Sequence, residues 1–600
     1  MSLDQESKDA IQEEERVLAE VLTSLKAQLQ DLSRRFDVER TRARELTSEL
    51  VAAWREEDKA MLASDEAVAH ALSHKQAGNI GTLEKLLQKP YFARFIVREY
   101  ENGCPKDLEY KLGLAANPEC RIVDWRKAPI SKLYYNYKEG EEYCDQIQNR
   151  ERSGVVILRH AVEITNGELV RLSCRHGTFT KKNGHWERLS GPARARSEHA
   201  AAEEYSHLPD VLSLITPEQF KTITEDADTA ILIQGIAGSG KTTVALHRLA
   251  WLLHEDNSTL KANECVIVVP TPALKTYIAN TLPSIGLQDV RVLTYLEWVA
   301  DNLVGALPRF FDEHGRILRP ADRPPRAVLR LMRSMALLKH MEQFEQNLRQ
   351  KLFTRLKSAI SREEAPPGLS KLLQNMAAVD APIGVSLREL KAGVQRGLEA
   401  IHPAKPAHRA LLSAQAAISR EEEKLMDLEG GMLEILSVPE EIIKCDETRL
   451  LDREIADQVL MRFKQTLAEG TLDRFTDAAL LRLLQIRTSG INPSGAFGPR
   501  YKHIVVDEIQ DFGPIDLAAL VKAAKDPRGL TLVGDTSQKI DETTIFPGWQ
   551  KLMRHWDFKE SVSKYITLTV NHRSTIQIMK LAQYIPVSYT HLTLPTIYSV

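Results

Sequence analysis

The chain is poor in cysteine, in long apolar runs and in net charge. Its six cysteines (Cys104, Cys120, Cys144, Cys174, Cys265, Cys445) lie far apart, with no C-x-x-C pair among 600 residues. That spacing argues against a zinc site or a disulfide framework and for a reducing, cytoplasmic setting. No apolar run approaches the ~18 residues that a membrane span needs. The start, Met1-Ser-Leu-Asp-Gln5, is polar and then acidic, with no signal-peptide core. The formal net charge is only −3. A chain so balanced does not coat nucleic acid, and any such contact must be a local patch.

Glycine and proline are missing altogether before Gly78. Residues 1–75 therefore read as long helix, and Leu18, Leu22, Leu25, Leu29, Leu32 and Phe36 form a heptad seam. The acids Asp4, Glu6, Asp9, Glu13, Glu14 and Glu15 suit a helix N-terminus. Such a coiled coil either dimerises, packs on itself, or reaches into a partner. From about Pro90 the texture turns to β-branched and aromatic runs: Tyr91–Val97, Cys120–Trp125, Leu133–Tyr137, Val155–Leu158 and Leu169–Cys174. Asn166-Gly167 and Asn183-Gly184 are hairpin-turn pairs. Charged helix follows at Ala193–His207. Short apolar strands then alternate with helices: Ala230–Gln234, Val266–Pro270, Arg291–Tyr295, Ile504–Asp507 and Leu530–Gly534. That alternation predicts a parallel sheet. Between Leu303 and Gly498 the pattern is Leu-rich helix, broken by Pro366-Pro367, Pro382, Pro403 and Pro406.

The fold expected is α/β: a RecA-like P-loop lobe with an N-terminal antiparallel coiled coil, a small β-rich domain and an all-helical insertion. The divisions expected are 1–75 (arm), 86–192 (β-rich domain), 205–302 and 499–558 (the two parts of the lobe) and 303–498 (insertion). Residues 559–586 are expected to start a second RecA-like lobe, and 587–600 to be a non-native tail.

Two motifs carry chemistry on their own residues. Gly235-Ile-Ala237-Gly238-Ser239-Gly240-Lys241-Thr242, followed by Thr243, follows a strand and opens a helix, the context a P-loop needs. Its backbone N–H groups would close around phosphates, Lys241 would reach the outer phosphates of ATP, and the Thr242 hydroxyl would bind Mg²⁺. Ile504-Val-Val-Asp507-Glu508 is a strand ending in two carboxylates. Asp507 would hold Mg²⁺ and Glu508 would polarise the attacking water.

With Glu508-Ile-Gln510-Asp511, these motifs resemble superfamily 1 helicases of the UvrD/Rep group. Ile215-Thr-Pro-Glu-Gln219 is similar to that group's Q-motif, which implies that Gln219 reads adenine. Val533-Gly-Asp535-Thr-Ser-Gln538 resembles its third motif, which implies a γ-phosphate sensor at Gln538. Leu568-Thr-Val-Asn571-His572-Arg573-Ser574-Thr575 resembles its fourth. Arg573 is then a γ-phosphate contact, and His572 stands where a stacking Tyr is usual. A closer resemblance is to the HelD ATPases, carried by Asp124-Trp125-Arg126-Lys-Ala-Pro129, with Lys127 inserted, and by Gln234 through Ala250 around the P-loop. For Trp125 itself the local role expected is packing within the β-rich domain.

The HelD resemblance implies a partner, bacterial core RNA polymerase. The arm would enter one of its channels, the insertion would engage its cleft, and nucleotide state would switch the pose. The alternative is a 3′–5′ helicase with DNA as partner. Against it, Gln538 is followed by Lys539-Ile540-Asp541, with no aromatic until Phe546 to stack on bases. A third class is a nucleotide-binding scaffold without turnover. The string Val587-Ser-Tyr-Thr-His-Leu-Thr-Leu-Pro-Thr596 resembles translated adapter sequence, so native sequence is expected to stop near Pro586, before the group's fifth and sixth motifs.

Overall fold

The computed structural model describes residues 3–568 apart from 54, 102–103, 148–149, 183, 190–211, 213–214, 237, 361–372, 375–380, 491–497, 537–542, 544–547, 557 and 560. The expected helix at Ala193–His207 and the tail from Val587 lie outside the described residues.

Two helices lead, α1 (Gln5–Ala52) and α2 (Glu56–Gln88). The Asp4 carboxylate caps α1 by accepting the Ser7 N–H at 2.8 Å. The chain then turns back, so that Thr47 donates to Glu66 at 2.8 Å. At 1.5 Å per residue α1 is about 70 Å long. α2 continues past position 75, through Gly78 and Gly81. The leucine seam serves the β sheet as well as the partner helix. Leu18 and Leu25 are buried together with Leu83 and Leu86 of α2, and also with Val162, Ile164, Leu172 and Phe179. Glu14 does more than complement the start of the helix. It is fully buried at the arm's root, where it accepts from Tyr91 Oη (2.9 Å), Arg94 (3.2 Å) and His160 Nδ1 (2.8 Å).

The first sheet has eight strands: β1 (Ala93–Glu101), β2 (Cys104–Gly113), β3 (Ile122–Asp124), β4 (Glu142–Ile147), β5 (Arg150–Thr165), β6 (Glu168–Cys174), β7 (Gly177–Lys182) and β8 (His185–Arg188). Their order is β3-β2-β1-β5-β6-β7-β8, with β4 on the first part of β5. Asn166 and Gly167, both at positive φ (52° and 76°), join β5 to β6 in a two-residue hairpin. The run at Leu133–Tyr137 corrects the sequence reading. All of it but Tyr137 belongs to a helix, α3 (Ala128–Asn136), opened by Pro129 in its first turn. Its inward residues Ile130, Leu133 and Tyr134 have helical spacing.

The second sheet is parallel throughout, in the order β11-β10-β12-β13-β9-β14. Its strands are β9 (Ala230–Gly235), β10 (Cys265–Val269), β11 (Arg291–Thr294), β12 (His503–Val506), β13 (Leu530–Gly534) and β14 (Ser563–Leu568). β14 was expected to begin a second lobe. It instead completes this sheet, paired with β9 from Ser563↔Ala230 to Leu568↔Gly235. Both faces of the sheet are dry, which is why its strands read as unbroken apolar runs. Leu232, Val268, Val506 and Leu532 face one core, and Ile231, Ile233, Ile267, Val269, Val505 and Val533 face the other.

The helices α4 (Pro217–Ile223), α5 (Lys241–Leu252), α6 (Pro272–Thr281) and α7 (Tyr295–Leu303) belong to this lobe's first part. Between β11 and β12 come α8 (Arg326–Met332), α9 (Met335–Ile360), α10 (Ile383–Ala400), α11 (Pro406–Met426), α12 (Leu428–Leu436), α13 (Pro439–Lys444), α14 (Arg453–Glu469) and α15 (Thr476–Thr488). α15 is buried almost all round, because it lies between the other inserted helices and the lobe. α16 (Pro514–Lys522) and α17 (Trp549–His555) complete the described helices.

The core on the far face of the sheet is shared with the β domain. Tyr135 stacks on Phe220 of α4 at 4.2 Å, and its hydroxyl donates to the Leu212 carbonyl. Trp125 does not simply pack within its own domain. Its ring meets His247 of α5 edge-on at 5.6 Å, and Asn257 donates to the Arg126 carbonyl.

Candidate functional site

β9 delivers the chain into the glycine-rich turn, and α5 carries it away. Gly238 and Gly240 both sit at positive φ (76° and 80°), a conformation that favours glycine. At Gly235 the constraint is room, since a Cβ there would lie 2.5 Å from Ser239 Oγ. Lys241 opens α5 and is buried. Its Nζ donates to the carbonyls of Gly235 (2.9 Å) and Ile236 (3.2 Å), so the ammonium is held inside its own loop. Gln219 is the third residue of α4 and forms a capping box with Thr216. Its Nε2 donates to the Ser239 carbonyl at 3.1 Å, which ties the Q-motif helix to the turn.

Thr242 and Asp507 meet across the sheet, Oγ1 donating to Oδ2 at 2.7 Å. Asp507 is buried, and its carboxyl is pushed up to about 6, first by burial and then by the neighbouring Glu508 charge. Glu508 sits at φ 52°, in the left-handed region, and accepts from Gln510 Nε2 at 2.7 Å. Gln510 Oε1 accepts the Asp535 N–H at 2.9 Å, so one side chain joins the second motif to the third. Gln234 adds a link, donating to Asp535 and accepting from Trp549 Nε1 at 2.7 Å. A hydroxyl and a carboxylate oxygen placed this close are hard donors of the kind Mg²⁺ prefers. The residues present therefore fit that ion.

The α5 helix is braced from behind. Arg248 is fully buried and donates to the carbonyls of Glu225 (2.6 Å), Asp226 (2.9 Å) and Thr229 (3.1 Å), just beyond the C-terminus of α4. Burial lowers it to about 10. His247 donates from Nδ1 to the Thr243 carbonyl at 2.7 Å, and burial holds it down to about 4. Arg248, Gln234 and Gln510 stand inside the quoted motifs, but no individual role for them was legible there. For Arg248 the available signal was a cation on the apolar side of Leu246-His-Arg-Leu-Ala250.

The structure thus brings together Gln219, Gly235, Gly238, Ser239, Gly240, Lys241, Thr242, Thr243, Asp507 and Glu508 around one turn. Ala237, Gln538, His572 and Arg573 lie outside the described residues. Residues 215–541, more than half of the chain, match the UvrD/REP helicase N-terminal domain. The chain belongs to the UvrD/REP helicase family. Within that family it is HelD-like, for residues 11–176 match the N-terminal domain of DNA helicase IV HelD. The UvrD/REP match begins at Ile215, two residues before α4, and ends after the third motif. The HelD match spans most of α1, all of α2 and most of the first sheet. A search of curated proteins gives no match. Among the described residues, no helix is long and apolar enough to cross a membrane.

Proposed function

We propose that this helicase-type ATPase remodels or recycles bacterial core RNA polymerase, with ATP binding as its switch. The observation that carries this reading is the HelD-type match over residues 11–176, which covers most of the two arm helices and the first six strands of the sheet they pack on. Sequence adds support, in that no aromatic follows Gln538 before Phe546 to form a base-stacking track.

At the nucleotide site, the N–H groups of the 235–240 turn would cradle the phosphates of ATP, and Lys241 would leave its loop carbonyls for the outer ones. Thr242 and Asp507 would hold Mg²⁺, which when bound neutralises charge building on the phosphates. Glu508, held by Gln510, would orient and polarise the attacking water. Gln219 would read adenine, His572 would stack on it, and Gln538 and Arg573 would contact the γ-phosphate. Glu508→Gln should keep ATP affinity while lowering turnover by about 10²–10⁴-fold. Unchanged turnover would remove Glu508 from that role, and tight ATP binding with no turnover in the wild type would favour a scaffold without catalysis.

The polymerase reading is tested by co-migration with core enzyme on a sizing column. The arm must be shortened rather than deleted, because Leu18 and Leu25 belong to the core of the first sheet. Replacing residues 34–78 with a short turn should abolish the complex and leave the fold intact. An unshortened chain that fails to bind polymerase yet displaces a strand from a tailed duplex would instead establish the DNA helicase reading, which the family match favours.

A further inference from the structure

Arg333 stands between α8 and α9, at the entrance to the helical insertion, and is 2% exposed. Its guanidinium lies 3.8 Å from the ring centroid of Phe475, the residue that precedes α15. From there it reaches out of the insertion in three directions. Nη2 donates to the Asp511 carbonyl at 2.7 Å, Nε to Asp516 Oδ2 at 2.8 Å, and Nη1 to Thr543 Oγ1 at 3.1 Å. Asp511 closes the Asp507–Asp511 turn, Asp516 lies in the first turn of α16, and Thr543 follows the third motif. The fit leaves no slack, since a Cβ on Gly513 would lie 2.7 Å from Arg333 Cβ and 2.8 Å from its carbonyl oxygen. Asp516 also accepts the Gly513 N–H at 2.8 Å, which pins the same stretch of backbone. Just before that stretch come Glu508 and Gln510, whose side chains bond each other, and Gln510 also accepts from the Asp535 N–H.

We propose that Arg333 is the positioning residue that couples the helical insertion to the nucleotide site. A planar, multiply bonded guanidinium holds a backbone turn at a fixed angle, which a flexible ammonium cannot do. A shift of the Asp507–Asp511 turn on nucleotide binding is therefore passed to the α8–α9 junction, and any ligand that moves the insertion acts back on the site to the same extent. The inference rests on the ATP-binding reading above and specifies which contact transmits it.

Hydrogen exchange of the full chain, with and without a non-hydrolysable ATP analogue and Mg²⁺, tests this. In the wild type, the analogue should protect the 238–244 amides and also change exchange across 326–345 by about fivefold or more. Arg333→Met combined with Asp516→Asn removes the contact without leaving a buried charge unpaired. It should keep analogue affinity within about threefold while the response at 326–345 is lost. Arg333→Lys should restore part of that response. Thr543→Val, a milder change that removes one contact, should weaken it and serves if the double variant does not fold. An undiminished insertion response in these variants overturns the coupling, as does a wild-type chain whose 238–244 amides are protected while 326–345 stays unchanged. No protection at 238–244 would overturn the ATP reading, and the coupling with it.

Discussion

Two buried carboxylates, Glu14 at the root of the arm and Asp507 at the end of β12, are shifted in opposite directions. Burial is the largest influence on both and pushes both up. At Glu14 the bonds and charges of His160, Arg94 and Tyr91 together outweigh it and hold the carboxyl below its ordinary range. At Asp507 the neighbouring Glu508 adds to burial, and the Thr242 hydroxyl and the more distant Lys241 do not offset them, so the group stands near 6. A buried acid surrounded by its own cations is an anchor. A buried acid placed beside another acid and a hydroxyl has the environment of a ligand for a divalent cation.

This contrast can be broken at its structural end first. Glu14→Ala takes the buried acceptor from His160 and Tyr91 and leaves Arg94 only Glu109 and Glu13, and should cost about 3 kcal/mol. Limited proteolysis should then release the arm, and a variant as stable as the wild type would refute the anchor. At the functional end, Lys241→Ala should weaken ATP binding about 100-fold, roughly 3 kcal/mol, with the melting temperature nearly unchanged. Titration with a fluorescent ATP analogue reads this directly.

Acid separates the two regions further. His247 and His503 are buried and lowered to about 4 and about 3. The unfolded chain binds protons at these groups near their ordinary 6.5, so their contribution to stability is lost as pH falls below that value. On the order of 2 kcal/mol each should be gone from the nucleotide lobe by pH 5. The Glu14 contribution is present above its ordinary 4.5 and is lost only as pH falls through its lowered value. Melting followed between pH 7 and 5 should therefore show the lobe weakening while the arm root holds, and parallel loss of both would contradict these assignments. The smallest expected effect is Asp507→Asn. It should remove the Mg²⁺ dependence of nucleotide binding and leave stability at pH 7 unchanged or slightly raised, because the charge it deletes is one that burial and Glu508 disfavour.

The nucleotide lobe was legible because two signals coincide there. Its strands are apolar on both faces, and its glycines, Lys241 and Asp507 sit at strand ends where motif spacing can be checked. The first sheet was less so. β2 (Cys-Pro-Lys-Asp-Leu-Glu-Tyr-Lys-Leu-Gly) hides Leu108, Tyr110 and Leu112 among charges, and α3 carries the aromatic, β-like texture of a strand on a helix. Glu14 looked like one acid among several at a helix start, since nothing in the seam says that Arg94 and His160 will fold over it. Trp125 and Arg333 were opaque for the same reason: their partners, His247 and Asp511 with Asp516, lie more than a hundred residues away in sequence.

The placement of β14 bears on how the protein is made. The P-loop strand β9 takes both its neighbours, β13 and β14, from roughly 300 residues later in the chain. At ribosomal rates that is about 15–60 seconds of synthesis during which a short strand, apolar from Ala230 to Ile233, has two open edges. Such long-range pairing is slow to form even once the chain is complete. The insertion helices and the first sheet are finished well before it, and each can cover one face of β9, but neither can pair its edges. Nascent chains should therefore depend on chaperones most while residues 240–560 are emerging.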